Sequence, residues 1–483
     1  MTVAELFRDL PCKLHAAPQG EATVREVTRV VTQPHGDLSG ALFVCVRGIL
    51  RDSADSMAVA YRNGCRLFLC THDTVPGEDA IVWITKEPDR LLGELAARVC
   101  GHPARSMTVI GITGAVGGTR VTLLLEAMLR RVGLRVSTLC RAGLSLNGEY
   151  TAQAPISADA AVLQENLSRM CACGTEVAVL ELSAAQLRHN AAVCVPFSAV
   201  LITDRVYEPC EARGFSGCDA YAAAQDRLLE GHPALAILPL GESAPGAARV
   251  LHMGERDELF AEEIETSFTP QRGFITRLCL HIATEQIRVE LPTVGGLCVE
   301  VALAAAGLAR LVGLSMQEIA QGLSQTRLAG YAEYLSLPYD RHVFLDAAYS
   351  PKSLEQVLLA LRAVCRGRLS VLIGSVGGRA RERRAPLAQS AERFADHVYL
   401  SADDPDSEDP AAICEEMRRA MSRPACATVL PDRREAIRRA VRELYCGDVL
   451  LIAGKGNAGH QLIGGVREPF CEREIVQMCQ GLF

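Results

Sequence analysis

Short apolar runs recur along this chain between stretches in which apolar residues return every three or four positions, the periods of buried strands and of amphipathic helices. In the first hundred residues the runs are Ala41 to Val46 (ALFVCV), Cys65 to Cys70 (CRLFLC) and Ala80 to Thr85 (AIVWIT), with helical stretches at Ser56 to Arg62 and Leu91 to Val99. That mixture predicts a small α/β domain, closed by the Gly- and Pro-containing stretch Gly101 to Ser106. From Met107 the pattern becomes strand then helix, repeatedly. MTVIGIT, LRVSTLC, EVAVLEL and SAVLITD are separated by helical stretches long enough to cross over between parallel strands, which predicts a doubly wound sheet. Ligands of such sheets sit at the carboxyl ends of strands, where the Gly111 turn, Glu181 and Asp204 fall. Residues 268–325 run through a β-rich piece to an alanine-rich helix, Val299 to Leu311, and a third α/β unit starts near Leu328 with the strands HVFLDAA, LSVLIG, DHVYLS and DVLLIAGKG. The expected architecture is three α/β domains, 1–105, 106–326 and 327–483.

Length supports that division, because 483 residues exceed one hydrophobic core and a size of about 150 residues per domain gives about three. A 49% hydrophobic and 22% charged composition is that of a globular chain, and a net charge of −7 argues against a nucleic-acid partner. The nineteen cysteines are scattered through a long chain whose start, MTVAELFRDLPCKL, does not read as a secretion signal. They are expected to be mostly reduced core residues, and the Cys171/Cys173 pair has no second pair at metal-ligand spacing. No apolar run reaches the roughly 20 residues that span a bilayer. These features predict a cytoplasmic protein.

GITGAVGGTR (Gly111 to Arg120) joins an apolar run to a helical stretch. In a phosphate loop, backbone N–H groups wrap the phosphate oxygens at a helix N-terminus, a lysine adds charge, and a Ser/Thr hydroxyl holds magnesium. Thr113, Gly114, Gly117 and Gly118 supply the turn and Thr119 the hydroxyl, but Gly118 stands at the lysine position. Arg120, one residue further round a helix from Thr119, points about 100° away and does not simply substitute. Losing the lysine removes on the order of several kcal/mol of charge stabilisation. A glycine-rich strand-to-helix turn is equally a device for tight packing, so the loop alone leaves both readings open.

Further stretches carry a resemblance. GALFVCVRG (Gly40 to Gly48), VAVLELSAAQL (Val177 to Leu187), AYAAAQDRLL (Ala220 to Leu229), FLDAAYSPKSLE (Phe344 to Glu355), SADDPDSEDP (Ser401 to Pro410), DRREAIRRAV (Asp432 to Val441) and LLIAGKGNAGHQLIGGVREPFCEREIV (Leu450 to Val476) stand in the order of motifs in the Mur ligases. The chain resembles in particular the members that add the third residue to UDP-N-acetylmuramoyl-dipeptide. The resemblance implies an N-terminal UDP-sugar domain, a central ATPase domain with a P-loop-type sheet, and a C-terminal Rossmann-like domain. It also implies a reaction in which ATP phosphorylates a carboxylate and an amino acid's amine attacks the acyl phosphate. ATP and Mg2+ are the implied cofactors if activity survives, and none otherwise. The implied partners are a nucleotide or UDP-muramoyl peptide and other cell-wall synthesis proteins.

The departures from the family pattern are systematic. The loop lysine is Gly118, the carbamylated lysine aligns with Gln225, the N-L-x-x-D-H stretch reads DRVYEP (Asp204 to Pro209), and the E-V-S-S-H histidine is Ala185. The arginine of G-R-x-E aligns with Tyr331, and two asparagines align with Cys298 and Val301. The D-S-R of the UDP pocket reads Val31 to Gln33, the D-N-P-R arginine aligns with Asp406, and the G-K-G-H-E glutamate with Ala458. Retained positions are Glu181, implied as a magnesium ligand; Asp346, implied as a nucleotide contact; and Asp404, Gly454 and Lys455, the remnant of the amino-acid subsite. Glu181, Asp346 and Lys455 also have plain readings, the two acids as strand-end carboxylates that are solvated or cap a helix and the lysine as an exposed turn residue. Tyr349 suits either stacking on a base or burial.

Two functions compete. One is a ligase fold kept for binding or scaffolding, which becomes a third, a sensor of a UDP-sugar or nucleotide without turnover, if ligand binding survives. The other is an ATP-dependent amide ligase with a changed substrate, its missing cations replaced by Arg120, Arg205, or Arg379, Arg381, Arg383 and Arg384. That last cluster is expected to be a solvated face.

Overall fold

The computed structural model describes residues 1–18, 25–46, 56–151, 159–206, 214–256 and 258–480. The chain forms two compact units, the first built mainly from residues up to Leu251 and the second mainly from His252 onward.

The first unit opens with β1 (Lys13–Ala16), β2 (Arg29–Val31), β3 (Ala41–Val44), β4 (Leu67–Cys70) and β5 (Ile81–Ile84), in the order β1-β5-β4-β3-β2. β2 to β5 are parallel and β1 runs against β5 at the edge. All four residues of β3 and of β4 are buried, as expected for strands covered on both faces. There follow β6 (Thr108–Thr113), β7 (Val136–Cys140), β8 (Gly143–Leu146), β9 (Glu149–Thr151), β10 (Val177–Glu181), β11 (Ala199–Ile202) and β12 (Leu235–Pro239), ordered β12-β11-β6-β10-β7-β8-β9. From β12 to β7 the pairing is parallel, and β8 and β9 add an antiparallel edge. β6 therefore lies between β10 and β11, the place where a doubly wound sheet opens a crevice. Register aligns Ile112 with Glu181 and Thr113 with Ile202, so the loop after β6 is level with the ends of both neighbours. Val109, Leu139, Leu180, Val200 and Ala236 pack in one core on a face of this sheet.

β13 (Val250–Met253) carries the chain into the second unit. There β14 (Leu259–Thr269), β15 (Gly273–Ile282) and β16 (Glu285–Leu291) form an antiparallel meander. A six-stranded sheet follows, β17 (Glu333–Leu337), β18 (Arg341–Asp346), β19 (Leu369–Ser375), β20 (His397–Ala402), β21 (Ala427–Val429) and β22 (Val449–Ala453), ordered β17-β18-β22-β19-β20-β21 and parallel except for β17. Val449, Leu451 and Ala453 enter one core while Leu450 and Ile452 enter another. Both faces are covered, which is why VLLIA reads as an unbroken apolar run rather than an alternating one.

The expected boundary near residue 105 falls inside the first unit, and the one near 326 inside the second. No helix among the described residues is long and apolar enough to cross a membrane.

Candidate functional site

The loop after β6 is shaped by glycine. Gly114 has φ +141°, and a Cβ there would stand 1.9 Å from Thr203 Oγ1, so both conformation and space exclude a side chain. Gly117, at φ 88°, caps the helix Gly118–Arg131. Thr119 donates its hydroxyl to both oxygens of Glu181, at 3.0 and 2.8 Å, and the Arg141 N–H reaches Glu181 Oε2 at 3.0 Å. The Arg141 guanidinium is more distant, with Nε 3.9 Å from Glu181 Oε1. A Cβ on Gly118 would lie 3.0 Å from the same carboxylate oxygen. Thr113, Gly114, Gly117, Gly118, Thr119 and Glu181 are thus brought together around the loop. Arg120 is buried in the first turn of the helix.

The other side of the loop is taken by Asp204, just past β11. Its Oδ2 accepts from the Val116 N–H at 2.9 Å and from Thr203 Oγ1 at 2.9 Å; its Oδ1 accepts from the N–H groups of Ala115 at 3.3 Å and Val206 at 3.0 Å. Gln225, which the resemblance aligns with a carbamylated lysine, is buried on the helix Cys218–Asp226. Its Nε2 donates to the Asp204 carbonyl at 3.1 Å, and its Oε1 accepts from Arg205 at 3.3 Å. Arg205 continues to the Ala222 carbonyl and to Asp226, the latter at 2.6 Å. Arg205 is therefore held by that helix.

The position that the resemblance gives to the loop lysine carries no side chain, and a carboxylate accepts hydrogen bonds from two of the loop's N–H groups, those of Ala115 and Val116. Thr32, in the stretch that the resemblance aligns with a UDP pocket, is buried and donates to Asp159, which caps the helix Ala160–Ala172.

A second set of charged groups lies at the ends of β18, β20 and β22. Asp346 is buried and accepts from the Ala332 N–H at 2.7 Å. The Lys455 side chain is 2% exposed, its ammonium 2.7 Å from Asp404 Oδ1 and 3.3 Å from Asp403 Oδ1. Burial would raise the Asp403 carboxyl, but Lys455 and Arg433 outweigh it and hold the pKa below the ordinary value. The same Asp404 oxygen accepts from the Leu462 N–H at 3.0 Å. Gly454, at φ 112°, turns the chain between β22 and Lys455. Asp406 Oδ1 accepts from the Gly465 N–H at 2.9 Å, in the turn of the hairpin His460–Ile463 and Val466–Pro469. The charge-reversed position therefore serves a backbone turn of its own chain.

Three expectations are corrected. Lys455 is not an exposed turn lysine, because two aspartates hold its ammonium inside the fold. Glu181 and Asp346 are not solvated strand-end carboxylates; both are buried, with main-chain N–H donors. The arginine cluster is not a solvated face throughout: the Arg384 side chain is 1% exposed, forked onto Glu408 and bonded to Glu416, and the Arg383 guanidinium stands 5.2 Å above the Tyr349 ring. Cys298 and Val301 are buried in the helix Gly296–Val312. The described cysteines are free; Cys171 is half-buried beside Ser106 Oγ and Cys173 is exposed.

Sequence reasoning placed Asp204 at a strand end but missed its place in the loop. The signal available was an acid at the asparagine position of N-L-x-x-D-H, on the strand beside a glycine loop. It also missed Glu262, Cys279 and His281, whose ligand-type atoms lie within 4.8 Å of one another on β14 and β15. Cross-strand register brings these together, and no local motif announces it.

The comparisons with known proteins follow the same path along the chain. A family model described as Mur ligase middle domain matches residues 112–309, and one described as Mur ligase, glutamate ligase domain matches 333–456. The chain is 30% identical over 466 residues to UDP-N-acetylmuramoyl-L-alanyl-D-glutamate–2,6-diaminopimelate ligase of Alkalilimnicola ehrlichii, covering 92% of each chain. To the protein of that name from Caldanaerobacter subterraneus subsp. tengcongensis it is 26% identical, over 92% of this chain and 95% of the relative. A solved structure of a UDP-N-acetylmuramoyl-L-alanyl-D-glutamate–2,6-diaminopimelate ligase superposes with a TM-score of 0.66 at 22% identity, covering 100% of this chain and 99% of the other. MurF ligase from Thermotoga maritima in complex with ADP gives 0.59 at 17%, over 94% and 97%. At those identities the structures establish the fold, while the 30% identity across 92% of both chains establishes descent. This protein belongs to the Mur ligase family.

Proposed function

We propose that this chain is a Mur ligase homologue kept as a binding or scaffold protein, without efficient ATP-driven amide synthesis. One observation carries the reading: not one lysine lies between Lys86 and Lys352. The middle-domain match, 112–309, falls inside that interval, so it supplies neither a loop ammonium nor a carbamate. Gln225 supports the same reading, since both ends of its buried amide are engaged by neighbours. In this reading residues 1–105, 106–326 and 327–483 descend from the UDP-sugar, ATPase and Rossmann-like domains. The ligand class is a UDP-muramoyl peptide, or a cell-wall synthesis protein that recognises the fold.

The alternative, an active ligase with an altered substrate, draws on the contact between Thr119 and Glu181, the two residues implied for magnesium. One assay separates the two. Purified wild-type chain is incubated with ATP, Mg2+, UDP-N-acetylmuramoyl-dipeptide and a panel of amino acids, and phosphate and amide product are measured. The scaffold reading expects neither above background; sustained phosphate release coupled to amide formation would replace it with the ligase reading.

A further inference from the structure

Two of the loop's N–H groups already have an oxygen partner supplied by the chain itself. Four donors converge on the Asp204 carboxylate: the N–H groups of Ala115, Val116 and Val206, and the Thr203 hydroxyl. Successive N–H groups in such a turn form an anion-binding concavity, and Ala115 and Val116 belong to that turn. We propose that Asp204 is a built-in occupant of this concavity and the residue that decides what the loop admits: as folded, the loop excludes polyphosphate, and it accepts one only when that carboxylate is removed.

Three features carry the inference. The occupant is tethered, so it meets the loop at an effective concentration that a diffusing anion does not reach, and no translational freedom is lost. The segment is fastened from behind: Gln225 donates to the Asp204 carbonyl, while Arg205 is held by Gln225, the Ala222 carbonyl and Asp226. The approach is also narrow on the glycine side, where the Cβ position of Gly114 lies 3.1 Å from Asp204 Oδ2. A phosphate entering beside the seated carboxylate would place like charges together, with Glu181 across the loop adding a third and no side chain at Gly118 to offset them.

The inference rests on the loop's descent from a phosphate cradle. Its test is separate from the turnover assay, because it measures binding of inorganic tripolyphosphate with no muramoyl substrate present. Calorimetric titrations, with and without Mg2+, would compare the full-length wild type with Asp204→Asn, Gly118→Lys and the double variant, each first shown to fold by circular dichroism. Asp204→Asn is expected to tighten tripolyphosphate binding about tenfold or more over wild type, and the double variant to bind more tightly than Gly118→Lys by a similar factor. Equal affinity of wild type and Asp204→Asn overturns the proposal, as does saturable wild-type binding that Asp204→Asn leaves unchanged. A measurement on wild type alone covers the case in which a variant misfolds. Hydrogen exchange at the Ala115 and Val116 amides is expected to be unmoved by excess tripolyphosphate, and new protection at those two amides overturns the proposal. Phosphate release in the full ligase assay would sink the scaffold reading and this one together, since turnover needs a triphosphate in the loop, whereas an unresponsive Asp204→Asn would sink this one and leave the scaffold reading standing.

Discussion

A lysine returned to position 118 would begin with its Cβ 3.0 Å from Glu181 Oε1, so its ammonium would find that carboxylate and the Asp204 side before any ligand. Gly118→Lys is therefore expected to fold and still make no amide product; robust product by mass spectrometry from that single change would contradict the account. Gln225→Lys tests the carbamate position in the opposite sense. It puts a charge into a buried site where Arg205 is already close, and the expected loss is about 2 kcal/mol of stability, read from the urea midpoint. The glycines and hydroxyls of the loop were legible in the sequence because a strand–glycine–helix transition allows few conformations. The seat of Asp204 was not, because its partners Ala115 and Val116 are remote in sequence and meet it only through the β6–β11 register.

At the scale of elements, the second unit relies on ion pairs that tie helices to strand ends. Arg433, on the helix Arg433–Arg442, donates to Glu472 and to the carbonyls of Ala402 and Ala453, and neither charged side chain is exposed. Burial raises the Glu472 carboxyl although Arg433 opposes it. Removing one partner would strand the other, so Arg433→Leu is expected to cost about 3–5 kcal/mol in chemical unfolding. The Arg384–Glu408 pair gives a pH signature. Its hydrogen bonds with Arg384, with help from the Gly378 N–H, lower the Glu408 pKa from 4.5 to about 2. A depressed carboxyl contributes stability that is complete above the unfolded value and is lost as pH falls through the folded one. The melting-temperature gap between wild type and Glu408→Gln should thus be full at neutral pH and close between about 4.5 and about 2. The strands that build these elements were readable as apolar runs. The ion pairs were not, since an arginine cluster in sequence says nothing about which acids its neighbours bring.

For the molecule as a whole, charge and lysine scarcity point one way. A net charge of −7 repels a polyanion at a distance, and the middle of the chain holds no lysine to reverse that locally. The order of motifs made the family and its α/β layers legible from sequence, because apolar strands and turn glycines are set by backbone geometry and burial. What the order of motifs does not convey is where the remaining charges go, and Lys455 illustrates the difference. The chain has four lysines, of which Lys13, Lys86 and Lys352 are exposed. Lys455 alone is clamped, between Asp403 and Asp404. Treated with an amine-acylating reagent and followed by peptide mass spectrometry, the native protein should take label quickly at three lysines and slowly at the fourth. Acylation of Lys455 would then report the moment the C-terminal core opens.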